Sequence, residues 1–547
     1  MSKTFKRLLS ICMVVVTVIA ASGCAKSRHY MIQDTKMPEF NHVALYSGSK
    51  TEKSENLTDG TAADSEEIVE YEIPDGMIVE DFNTEEYSAI TENNFENVKN
   101  YPISTFSVDV DTASYSLVRR MINSNGVIVP DAVRIEEMIN YFRYDYENPT
   151  EDVPFSVTTE ISDCPWNKDA KLLLIGLQAK DIDLENRPSS NLVFLLDVSG
   201  SMDSPDKLPL MQKAFVMLTE NLNENDRISI VTYAGWESVV LEGARGDETM
   251  KIVSAIEDLS AGGSTAGSAG IKKAYEIAEK YFIKGGNNRV ILATDGDLNV
   301  GITSEGELKR LVKKERKKGI FLSVLGFGTG NIKDNKMETL ADNGNGNYAY
   351  IDSILEAKKV LVEEMGGTLF TVAKDVKLQV EFNPAYIKGY RLIGYENRLL
   401  NTEDFDDDTK DAGEIGAGHR VTALYEIVEV DSEQEIPETN LKYQSDKEII
   451  ESNEWLNINI RYKEPDQNES RLLSFPVDAS SYSAEMSENL AFASSVAAFG
   501  MLLRDSRWKG DASYDMILNI LEDVDISKDE YKDEFVSLVK KVKRMYQ

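Results

Sequence analysis

Between residues 191 and 373, short unbroken apolar runs at 193–196, 228–233, 290–293 and 320–325 alternate with helical patterns over 208–222, 269–282, 305–317 and 354–365. A strand with no polar alternation needs cover on both faces, so these runs predict an α/β block: a doubly wound, mostly parallel sheet with helices on each side. The more polar segment 238–243 predicts a short antiparallel edge strand. In such a sheet the ligand site lies outside the carboxyl ends of the strands.

On both flanks the period falls to two. Val376, Leu378, Val380 and Phe382 alternate, as do Val421, Ala423, Tyr425 and Ile427, then Leu456, Ile458, Ile460 and Tyr462; upstream, Phe155, Val157, Thr159 and Ile161 do the same before an apolar run at 172–177. Two upstream strands cannot bury a face alone. The 191–373 block is therefore expected to be inserted in an antiparallel β-sandwich built from 151–190 and 374–480. Helical segments bracket the whole. One helix over 112–122 and another starting at Pro130 fall in 101–150, with Asp111 as the N-cap of the first. In 481–547, an uncharged stretch at 489–503, broken by Gly500, is too short for a membrane span, and Phe535, Leu538, Val539, Val542 and Met545 mark a final amphipathic helix.

Charge and cysteine usage change the picture at the N-terminus. Across 547 residues, 94 acidic against 59 basic side chains leave a net charge of -35, which repels phosphate backbones and excludes nucleic acid as a partner. Glu, Asp, Asn, Ser and Thr crowd residues 51–100, so 24–100 is expected to be a disordered acidic tether, with a coil span of roughly 50 Å and a reach of about 250 Å. Ahead of it Lys3, Lys6 and Arg7 precede an apolar stretch, and Ala21, Ser22 and Gly23 precede Cys24. This resembles a bacterial lipoprotein signal over 1–23 with Cys24 as the lipid-attachment residue. The resemblance implies a protein on the extracytoplasmic side of the cell membrane or outer membrane, touching the membrane through its lipid anchor only. Cys164 is the lone cysteine of the body, which rules out an intramolecular disulfide framework there, and reads as a buried small side chain.

The expected strand ends carry oxygen side chains. Asp197, Ser199 and Ser201 follow the 193–196 run, Thr265 lies in a Gly-Gly-Ser-Thr loop before a helix, and Asp295 follows Thr294 after the 290–293 run. Hydroxyls with few carboxylates suit magnesium, which takes six hard oxygens and keeps some as water; manganese or calcium are the alternatives. An ion so lightly neutralised stays electrophilic, and an acidic side chain of a protein partner can complete its shell.

In that order on this pattern, Asp-x-Ser-x-Ser, the loop threonine and Thr-Asp-Gly resemble the metal-ion-dependent adhesion site of the von Willebrand factor type A domain, a Rossmann-like fold. Stretches at 106–146, Pro165-Trp166-Asn167, 326–330 and 413–426 are similar to the YfbK-type bacterial lipoproteins. That resemblance implies a helical N-terminal segment, a von Willebrand A domain and a C-terminal domain of unknown function.

Rival chemistry is thinner. Asp404, Asp406, Asp407 and Asp408 lack the glycine of a calcium loop and read as an acidic turn, while Gly326, Gly328 and Gly330 lack dinucleotide spacing and read as a structural turn. His29 and His42 fall in the tether and His419 stands alone as a packing residue, so a histidine-assisted nucleophile has little support. The expectation is a membrane-anchored lipoprotein that binds a protein partner through magnesium and is not an enzyme. A metal-dependent hydrolase and an envelope assembly factor are the alternatives.

Overall fold

The computed structural model describes residues 84–546 apart from 109–110, 151–152, 182–186, 235–236, 263–269, 297–304, 365–366, 368–369, 411, 440–449, 466 and 468. Cys24 and Thr265 lie outside the described residues.

Among these, a six-stranded sheet runs in the order Tyr348–Ile351, Ile320–Phe327, Asn287–Thr294, Ser190–Asp197, Arg227–Tyr233, Glu237–Arg245. Neighbours are parallel except the last pair, which is antiparallel. Every residue of Ser190–Asp197 and of Asn287–Thr294 is buried, as unbroken apolar strands require. Leu192, Phe194 and Leu196 face Met211 and Phe215 of the helix Leu208–Thr219 and Ile252 of Thr249–Glu257. On the opposite side Val193 and Leu195 pack with Ile271 of Gly270–Lys280, Leu308 of Glu305–Arg316 and Met337 of Asp334–Asn343. The chain leaves Ser190–Asp197 toward one edge and later returns to its other side as Asn287–Thr294. This reversal opens a crevice at the carboxyl ends of those two strands.

The flanks form two further sheets. One is ordered Glu96–Asn97, Ile387–Ile393, Arg420–Glu429, Lys171–Ala179, Phe155–Asp163; the other holds Gly413–Gly416, Thr371–Phe382, Glu454–Lys463 and Ser470–Asp478, with Ile103–Ser107 paired to Thr371–Phe382. Upstream strands thus pair with downstream ones, for example Leu174 opposite Leu424 and Phe106 opposite Leu378, and the α/β block is inserted between them. Leu173, Ile175, Leu378, Phe382, Tyr425 and Ile458 share the core between the two sheets. Leu172, Leu174 and Leu424 on the outer face of the first sheet are covered by helices through Tyr115, Phe492, Phe499 and Phe535, and by Phe142 in the turn after Ile135–Asn140.

Departures from the expected elements have local causes. Within the segment 24–100 expected to be a tether, the described residues from Thr84 onward are ordered: the Thr84 and Glu86 amides donate to Gly330 O and Ile332 O, both at 2.9 Å, and Glu96–Asn97 joins the first sandwich sheet. The helix expected from Pro130 splits into a turn at Pro130–Ala132 and a helix at Ile135–Asn140. The Val133 carbonyl between them accepts from Arg504 Nε and Nη2 at 3.0 and 2.6 Å instead of from a helical amide. Gly500 does not break its helix, which runs Glu488–Arg504; a Cβ there would meet Ile135 Cγ1 at 3.0 Å, so the glycine permits a close helix crossing. Asp111 is not an N-cap: its Oδ1 accepts from the Tyr348 amide at 2.9 Å, tying the first helix, Ala113–Asn123, to the edge of the six-stranded sheet. The pattern at 354–365 becomes an α-helix at Ile354–Lys358 and a π-helical turn at Lys359–Glu363. Among the described residues no helix is long and apolar enough to cross a membrane.

Candidate metal centre

Strand register assembles the site. Leu196 lies opposite Ala293 and Asp197 opposite Tyr233, which brings Thr294 and Asp295 beside Asp197. The Ser199 amide donates to Asp197 Oδ1 at 2.9 Å and Thr294 Oγ1 donates to Asp197 Oδ2 at 3.3 Å. The Ser199 and Ser201 hydroxyls are 3.0 Å apart at the turn Gly200–Met202. Ser199 is buried and Ser201 exposed, so the pair runs from the floor of the crevice to its mouth. Four of the five side chains singled out in the sequence therefore meet at one place.

Burial pushes the Asp197 carboxyl up to about 6; hydrogen bonds from Ser199 pull it down and the neighbouring charge of Asp295 pushes it further up. Asp295 is buried, and its Oδ1 makes no hydrogen bond among the described residues. A buried carboxylate oxygen left without a partner is costly, and a cation beside it removes that cost. The donor set fits a small hard divalent ion: Asp197, Ser199, Ser201 and Asp295 would hold it, and it would supply a Lewis-acid position for an anionic ligand. Among the described residues no three His, Cys, Asp or Glu side chains could together hold a metal, which leaves a hydroxyl-rich set as the candidate.

The sequence reading missed Lys207. Its Nζ donates to Asp295 Oδ2 at 2.9 Å, with the lysine side chain 11% exposed and that of Asp295 0%. It occupies the N-cap of Leu208–Thr219, where a cation opposes the helix dipole, and that mismatch was the available signal. Its stem crosses Gly328, which adopts φ +76° and where a Cβ would stand 2.4 Å from Lys207 Cγ and Cε. Gly328→Ala is expected to lower the melting temperature by several degrees, through left-handed strain and overlap with this stem, and to tighten magnesium binding by moving the Lys207 ammonium away from Asp295. Thermal denaturation with and without magnesium measures both.

The other sequence candidates fall elsewhere. Cys164 is buried, and burial next to Glu426 raises its thiol well above the ordinary range. His419 is half-buried, with its imidazole pushed down to about 4 by desolvation, so it stays neutral. The acidic turn is a structural device: Lys377 Nζ donates to the carbonyls of Asp404 and Asp407 at 2.7 and 2.6 Å, and Arg461 reaches Asp406 and Asp408, both at 3.2 Å.

Family models match the chain in three places: "von Willebrand factor" over residues 81–174, "von Willebrand factor type A domain" over 191–363, and "Uncharacterized protein YfbK, C-terminal" over 367–545. The YfbK protein of Escherichia coli (strain K12) is 42% identical over 469 residues, which span 83% of this chain and 80% of that one. Protein sll0103 of Synechocystis is 31% identical over 188 residues, 34% of this chain and 43% of that one. A solved von Willebrand factor type A protein from Catenulispora acidiphila aligns with 73% of this chain and 91% of its own at 16% identity and a TM-score of 0.41.

Proposed function

We infer the function from one premise: the chain belongs to the family of YfbK, proteins with a von Willebrand A domain and a YfbK C-terminal domain. Domains of the von Willebrand A type mediate protein–protein interaction. Here the domain binds a protein partner through a magnesium ion held by Asp197, Ser199, Ser201, Thr265 and Asp295, with an acidic side chain of the partner filling the open position. The observation that carries this reading is the buried Asp295 Oδ1 at the carboxyl end of the sheet, which has no hydrogen-bond partner among the described residues. The protein acts as a binding module and not as an enzyme: among the described residues the histidine His419 is half-buried and neutral, far from a nucleophile's needs. Affinity capture from the native envelope, with magnesium in one arm and chelator in the other, tests it. Capture should require magnesium and fail for Asp295→Ala; equal capture by Asp295→Ala in chelator rejects it, and hydrolytic turnover with magnesium would favour the hydrolase alternative.

The same reading places the protein on the extracytoplasmic face of a membrane through lipid on Cys24, supported by the basic, apolar and small-residue run before that cysteine. Cys24→Ser is expected to move the protein from the membrane pellet to the soluble extracytoplasmic fraction. Pelleting unchanged after the substitution would argue against the anchor.

A further inference from the structure

We propose that Lys207 sets the net charge of the metal centre and thereby makes its open position select a carboxylate. This rests on the magnesium-dependent reading above and adds a residue to it. Among the described residues the crevice holds two buried carboxylates, Asp197 and Asp295, and one nearly buried ammonium, 2.9 Å from Asp295 Oδ2. The ammonium takes one oxygen of Asp295 and leaves the other, Oδ1, without a hydrogen bond among the described residues.

Several features hold a cation at this point against its local preference. Lys207 caps the positive end of Leu208–Thr219, an unfavourable place for a positive charge. Its stem lies where any side chain at position 328 would be, and that loop is fixed by the Tyr350 hydroxyl, which donates to Gly328 O at 2.6 Å. The turn glycine and the lysine are thus fitted to each other, and the ammonium cannot be regarded as a surface charge that happens to reach an aspartate.

Charge counting gives the consequence. Two carboxylates and an ammonium leave the site one negative charge; a divalent ion makes it one positive charge, and a partner's carboxylate brings it to neutrality. Without the ammonium the metal alone neutralises the site, and an incoming carboxylate would leave an excess negative charge in a poorly hydrated crevice. Lys207 therefore weakens metal binding and strengthens capture of an anionic ligand. It is a positioning and charge-setting residue that works through Asp295.

The test uses the purified full-length protein, manganese as the probe metal and sodium acetate as the probe carboxylate, with chloride keeping ionic strength constant. Free manganese is read by its electron paramagnetic resonance signal. Because two ligands that favour one another do so reciprocally, acetate should tighten manganese binding in the unsubstituted protein. Lys207→Met keeps the stem and removes the charge; Lys207→Gln is a second variant should the first fold poorly. In chloride both should bind manganese about tenfold more tightly or better, and acetate should no longer tighten it. Weaker manganese binding in both folded variants, or an acetate effect that persists in them, overturns the proposal while leaving the metal site itself in place. No manganese binding by the unsubstituted protein overturns both the proposal and the reading it rests on.

Discussion

Asp197→Asn is expected to abolish magnesium binding and, in the same protein, to raise the melting temperature in chelator. Burial holds the Asp197 carboxyl at about 6 where 3.8 is ordinary. Between those values the folded, metal-free protein keeps a proton that the unfolded chain has released. The stability linked to this group is therefore fully present below about pH 3.8 and is lost as pH rises through 6, about 3 kcal/mol in all. Asparagine has the shape of the protonated acid and carries no charge, so at pH 7.5 the variant keeps what the unsubstituted metal-free protein has lost. Magnesium reverses the comparison, since a ligand at a hundred times its dissociation constant stabilises by about 2.7 kcal/mol, and the variant cannot collect that gain. Thermal denaturation at pH 7.5 in chelator and in magnesium, with a chelator series from pH 4 to 8, measures each part. A variant less stable than the unsubstituted protein in chelator, or one with the same magnesium shift, would contradict the assignment.

The second large effect lies away from the crevice. Arg119, 1% exposed, sits on Ala113–Asn123 and donates to Asp352 Oδ2 at 2.8 Å, Glu356 Oε2 at 2.7 Å, the Tyr141 hydroxyl at 2.9 Å and Glu534 Oε2 at 2.9 Å. These partners belong to the end of the inserted block, the N-terminal helical segment and the final helix Glu530–Tyr546. Arg119→Met removes the guanidinium at the centre of this set and leaves buried carboxylates facing a thioether. The expected loss is about 3–5 kcal/mol, the usual cost of removing one partner from a buried ion pair. Urea unfolding should show a midpoint lowered accordingly, with Glu530–Tyr546 released first in hydrogen exchange. A loss below about 1 kcal/mol would show that these carboxylates are solvated or protonated instead.

Periodicity carried most of the architecture, because strands buried on both faces and strands buried on one face write different patterns. The unbroken run at 193–196 and the alternation at 376–382 therefore revealed both the parallel sheet and the sandwich that encloses it. The failures occurred where long-range partners override local preference. Nothing near Val133 announces that Arg504, 371 residues away, will take its carbonyl and split a helix. Nor does the acidic composition of 84–100 reveal that Thr84 and Glu86 will bond to the loop at 330–332. Gly500 reads locally as a helix breaker and acts as a packing contact with Ile135. At the site, oxygen side chains at strand ends were legible because the topology fixes where strand ends meet. Lys207 was not, since its role depends on Gly328 and Asp295, residues brought to it only by the fold.

Isothermal titration of magnesium into the purified full-length protein at pH 7.5, run beside the same titration of Asp295→Ala, bears most directly on the metal centre. A single saturable site in the unsubstituted protein and no saturable heat in the variant is the expected result. Equal uptake by the two proteins, or no uptake by either, would contradict it.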